Sequence, residues 1–143
     1  MVETWRGLYP ITAFVHDALT RKSTRDSPAA LSEAEQTLLT VCDFWFAFNT
    51  GALRGRLARR GSLISLLRAQ HAYSEIGAVR VASVLRILLE RLARAPAPAV
   101  LDGVVAETEE ALARVEDPVE ELIARFATER LNLTELSSQR DPF

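Results

Sequence analysis

The stretch Leu38-Leu39-Thr40-Val41-Cys42-Asp43-Phe44-Trp45-Phe46-Ala47-Phe48 constrains this chain more than any other. Just before it, Ser32 and Glu35 stand in the spacing of a capping box, which places a helix start there, and Leu31 is positioned to staple onto the first turn. Asn49-Thr50-Gly51 supplies the stop. The helix so bounded is apolar on nearly every side over its second half. Such a helix belongs at the centre of a fold, with the others packed around it.

The remaining segments also read as helical. Pro10 suits a first helical position, and Ile11, Phe14, Val15, Ala18 and Leu19 follow at helical spacing to about Lys22. Residues 23–31 read as a loop, and Ala52 to Arg60 as a short helix at best. Ser62 is placed to cap the next helix, with Leu63, Leu66, Leu67 and Ala69 inside and Gly77 as terminator. Val81, Val84, Leu85, Leu88 and Leu92 form an amphipathic stripe that ends before Pro96 and Pro98. Leu101, Val104, Val105, Thr108 and Leu112 form another. Asp117-Pro118 opens a last helix, Asp as cap and Pro at the first position, with Val119, Leu122, Ile123 and Phe126 inward and Asn132 at its end. No segment alternates as a strand does. The expected fold is all-α, one globular domain of six or seven helices over residues 1–133, with a polar tail at 134–143.

At 143 residues and 48% apolar content the chain has one domain's worth of core. One Cys and two His exclude a disulfide framework and leave no CxxC or HExxH spacing. No run approaches 18 uncharged apolar residues, and the start, Met1-Val2-Glu3-Thr4-Trp5-Arg6, lacks a signal-peptide pattern. The expectation is a cytoplasmic protein without membrane contact, cofactor or metal.

Charge is unevenly placed. Residues 1–99 hold 13 of the 17 basic and 8 of the 19 acidic residues, and residues 100–143 hold 4 and 11. A segment of +5 therefore precedes one of −7. Glu107, Glu110, Glu120 and Glu121 lead an acidic cluster that suits a protein partner with a basic surface. Its local alternative is a solvated face with Glu110–Arg114 and Glu121–Arg125 pairs. Arg54-Gly55-Arg56-Leu57-Ala58-Arg59-Arg60 is the densest basic run. It lacks interleaved aromatics, and direct nucleic-acid binding is not expected of it.

Catalytic signals are sparse, and the balance is against an enzyme. Cys42 sits in the most apolar helix, where a buried thiol is an ordinary occupant. His16 falls opposite the Phe14/Val15 stripe and reads as solvated; His71, near a helix end, suits the dipole there. Asp43 reads as a solvent-facing edge or as a partner for an Arg of the 54–60 run. An alternative ligand or catalytic site would gather Asp43, Trp45, Asn49 and Arg54.

Three elements carry a family resemblance. Leu31-Ser32-Glu33-Ala34-Glu35 opens a Trp-containing helix that ends at Asn49-Thr50-Gly51. Glu75-Ile76-Gly77-Ala78 precedes the amphipathic helix through Leu92, and Val119-Glu120-Glu121-Leu122-Ile123 begins the last one. Over about 33–131 the chain resembles the C-terminal domain of the bacterial DNA-mimic protein family. Thr50 stands for one family Gly, Leu53-Arg54 replace an aromatic and Gln, and the net charge of −2 is weak for a duplex mimic. The resemblance implies a non-enzymatic protein whose acidic surface occupies the DNA-binding face of a regulator. By analogy alone, an immunity-type protein that neutralises a toxin is a further alternative.

Overall fold

The structure, a computed structural model, describes residues 10–26, 31–58, 61–94 and 98–131. Their order is α1 (Pro10–Asp26), α2 (Glu33–Asn49), α3 (Leu53–Leu57), α4 (Ser62–Glu75), α5 (Val79–Arg94), α6 (Pro98–Arg114) and α7 (Val119–Arg130). The fold is all-α, with no strand among the described residues. No helix among them is long and apolar enough to cross a membrane.

The start of α2 follows its sequence signature. The Ser32 hydroxyl accepts the Glu35 N–H at 3.1 Å, and the Glu35 carboxylate accepts the Ser32 N–H at 2.8 Å. Leu38, Val41, Cys42, Phe44, Trp45 and Ala47 are buried; Leu39, Phe46 and Phe48 are partly so. α1, α3, α4 and α7 pack directly on α2. α5 and α6 form a further layer, α5 packing on α4 and α6, and α6 on α5 and α3. A single stripe on α5, Val81, Leu85, Leu88 and Leu92, seats it there.

α4 and α5 form a helical hairpin with the most extensive contact in the fold. Gly77 makes its turn at φ +94°, with its N–H on Ser74 O (3.1 Å) and the Ala78 N–H on Tyr73 O (2.8 Å). This is a Schellman closure, which satisfies two carbonyls at the end of α4. A Cβ at Gly77 would meet only Leu122 Cδ2 at 3.7 Å, an ordinary contact, so substitution acts through the backbone. Gly77→Val is therefore expected to cost about 1–2 kcal/mol in a urea melt, and an unchanged midpoint would deny the turn that role.

Two expected boundaries and one expected inner face are corrected. α1 continues four residues past Lys22, to Asp26, so the expected loop begins later. Ser62 lies inside α4, whose cap is Gly61 with no side-chain bond. Leu66 and Ala69 of α4 are buried as expected, but Leu63 and Leu67 are exposed; the inner face runs Leu66, Ala69, Ala72, Tyr73 instead. Both sets have helical spacing, and Tyr73 decides between them because its buried hydroxyl donates to Val41 O at 2.9 Å. The expected end at Asn132 and the tail at 134–143 lie outside the described residues, as do Arg59 and Arg60.

Candidate functional site

α6, α7 and the link between them carry nine carboxylates against three arginines. The fold gives these acids different tasks. Glu107 pairs with Arg91 of α5, and Asp102 with Arg54 of α3. Glu116 pairs with Arg80 at 3.3 Å, and Glu110 with Arg114 one turn along α6 at 2.5 Å. Glu121 is exposed, and its expected pair with Arg125 is not formed. Glu120 is half-buried and accepts the indole N–H of Trp45 at 3.0 Å, so this acid faces α2 rather than solvent.

Asp117 corrects the expected capping pattern. α7 begins after Pro118 without a side-chain cap. The Asp117 carboxylate instead accepts the N–H groups of Arg80 (2.8 Å) and Val81 (2.9 Å) in the first turn of α5. α5 follows Ala78, which has no polar side chain to do this, so an acid from another segment meets its orphan donors and positive dipole end.

The basic middle and acidic end therefore meet within the fold, through Arg54–Asp102, Arg80–Glu116 and Arg91–Glu107. All three pairs are largely exposed. Such surface pairs contribute about 0–1 kcal/mol, so the carboxylates remain able to exchange partners.

The alternative set does not converge. Asp43 faces His16 of α1, and Trp45 faces Glu120 of α7. The Asn49 amide donates to Trp45 O of its own helix at 2.7 Å, and Arg54 is turned to Asp102. No three His, Cys, Asp or Glu among the described residues group as a metal site.

His16 corrects another expectation. Its Nε2 lies 2.6 Å from Asp43 Oδ1, and its ring stacks on Phe46 with centroids 5.9 Å apart. Neither the solvated His16 nor the Arg partner for Asp43 is found; the two close the α1–α2 contact together. Cys42 is fully buried, and burial, with the nearby Asp43 charge, raises its thiol well above the ordinary range. That suppresses the thiolate on which cysteine nucleophilicity depends.

The structure also shows a surface groove of about 430 Å³ between the start of α2 and the end of α4. Glu33, Thr37, Leu67, Arg68, His71 and Glu75 are among its walls. Its α4 side went unread in the sequence because Leu63 and Leu67 fit the same helical spacing as the true core residues. Comparison with family models, characterised proteins and solved structures gives no match.

Proposed function

We propose that the chain is a non-enzymatic protein-binding module whose acidic α6–α7 surface takes up a partner with a basic face. The observation that carries this reading is the exposure of Glu107, Glu110 and Glu116, whose side chains are 63, 62 and 84% accessible. Glu121 on α7 is exposed as well. Their in-chain pairs are the weak, solvated kind, and a partner's cations compete with them at little cost. An acidic surface is also what the DNA-mimic resemblance implies. The arginines interspersed among the acids favour a partner with mixed charge over one shaped only for a row of phosphates.

The test neutralises Glu107, Glu110 and Glu121 together as glutamines and leaves Glu120, which holds Trp45. A basic protein retained by the wild type from native extract is purified, and its Kd is measured for both forms. The variant is expected to keep its melting curve, since exposed helical acids contribute a few tenths of a kcal/mol each. Binding should weaken at least about tenfold, mainly through slower association, and lose much of its salt dependence. An unchanged Kd would refute the reading. So would salt-sensitive retention of unrelated duplex DNA in a gel shift, which would move the interaction to the Arg54/Arg56 cluster.

A further inference from the structure

Five large apolar side chains stand exposed among the described residues, and three of them fall within five positions of α4. Leu63, Ile64 and Leu67 are 40, 60 and 45% accessible. At about 100° per residue, Ile64, Leu67, Arg68, His71 and Glu75 share one face of the helix. The groove against α2 supports this independently, since four of those five side chains line it. Arg68, His71 and Glu75 are exposed, and neither Arg68 nor Glu75 forms an ion pair among the described residues. Glu75 accepts the Thr37 hydroxyl at 2.8 Å, which fixes its carboxylate on this face. Arg54, Arg80, Arg86, Arg91 and Arg114 have in-chain carboxylates, whereas Arg56, Arg94 and Arg125, like Arg68, form no ion pair among the described residues.

We infer that this face of α4 binds a second copy of the chain in a two-fold symmetric, antiparallel dimer. Charge complementarity selects a second copy as the occupant. Along the face the order is apolar, then cation, then anion, with Arg68 and Glu75 two turns apart. An antiparallel copy, its axis midway between them, sets each Arg68 against the other copy's Glu75, so both charges find partners with one operation. Glu33, on the α2 side of the groove, adds a second carboxylate to the site that receives the incoming guanidinium. In the same register Ile64 and Leu67 lie outside the two Arg68–Glu75 pairs, at the ends of the contact, where they meet the turn end of the other hairpin. Apolar contact then supplies the affinity and the paired charges fix the register.

The size of the face sets the strength. A helix of 14 residues is about 21 Å long, and with the lip of α2 it covers roughly 400–500 Å² per copy. That is the low end of specific interfaces, so the dimer is reversible, with a Kd in roughly the micromolar range.

Sedimentation of the full chain over a concentration series from about 5 to 500 μM tests this. The wild type is expected to pass from monomer to dimer, and the double variant Ile64→Glu/Leu67→Glu to stay monomeric at the top concentration. Arg68→Glu alone and Glu75→Arg alone should each weaken the dimer about tenfold, through like charges brought together. Combining them restores opposite signs and should recover the wild-type Kd to within about threefold. These positions are exposed, so circular dichroism should show unchanged helix content in every variant. A wild type monomeric throughout would overturn the inference, including the case where another protein is found to cover Leu67. A dimer that survives Ile64→Glu/Leu67→Glu, or a double charge swap that fails to restore binding, would do the same.

Discussion

Trp45→Ala is expected to lower the unfolding free energy by about 3–5 kcal/mol, the largest single effect on α2. The indole is 9% exposed, lies with its ring centroid 5.4 Å from that of Phe48, and donates its N–H to Glu120 on α7. Truncation opens a cavity at the α2–α7 contact and leaves the half-buried Glu120 carboxylate without its donor. Two milder variants separate these terms. Trp45→Phe retains much of the ring volume and loses the bond, for about 1–2 kcal/mol. Glu120→Gln keeps an acceptor at the same reach and should cost less than about 1 kcal/mol. Urea denaturation followed by far-UV circular dichroism gives all three. A near-neutral Trp45→Ala would place the ring on a surface and undo the central position of α2.

What could be read in the sequence divides by the reach of the interaction. The Ser32/Glu35 box and the Gly51 and Gly77 turns are closed by groups within a few residues, and each appears where its local pattern puts it. The charged pairs that decide packing span longer separations. Lys22 is bound to Glu35, which ties the late part of α1 to the start of α2, and α1 continues beyond the point where its apolar stripe ends. His16 and Asp43 are 27 positions apart, and each alone reads as a solvated residue. Asp117 shows local and tertiary rules in conflict. Asp-Pro ahead of a helix predicts a cap for that helix, yet the bare start of α5 takes the carboxylate. The site was legible to the same degree. That Glu107 and Glu110 stand outward follows from the apolar stripe of α6, whereas the inward turn of Glu120 depends on Trp45, 75 residues away.

The second large effect is at Glu35, and it carries a pH signature. Glu35 is 8% exposed; one carboxylate accepts the Ser32 N–H and both bonds from the Lys22 ammonium, at 3.0 and 3.1 Å. Burial by itself pushes the carboxyl pKa up. The Ser32 N–H and the Lys22 charge outweigh it, and the pKa falls below its ordinary 4.5. Because the folded value is depressed, the unfolded chain takes up the proton first as pH falls. The stabilisation from Glu35 is therefore complete above about pH 4.5 and is lost as pH drops through the folded value. Glu35→Gln removes the charge from a mostly buried pair and should cost roughly 3 kcal/mol at neutral pH. Lys22→Met leaves Glu35 its capping bond and should cost less, about 1–2 kcal/mol. Urea midpoints taken at intervals from pH 7 down to about pH 2 give the decisive comparison. The gap between wild type and Glu35→Gln should be widest near neutrality and should narrow in acid, as the wild-type carboxyl becomes protonated in both states. Two curves that stay parallel over that range would show that Glu35 acts through its shape alone, and the ion pair would then have no part in holding α1 on α2.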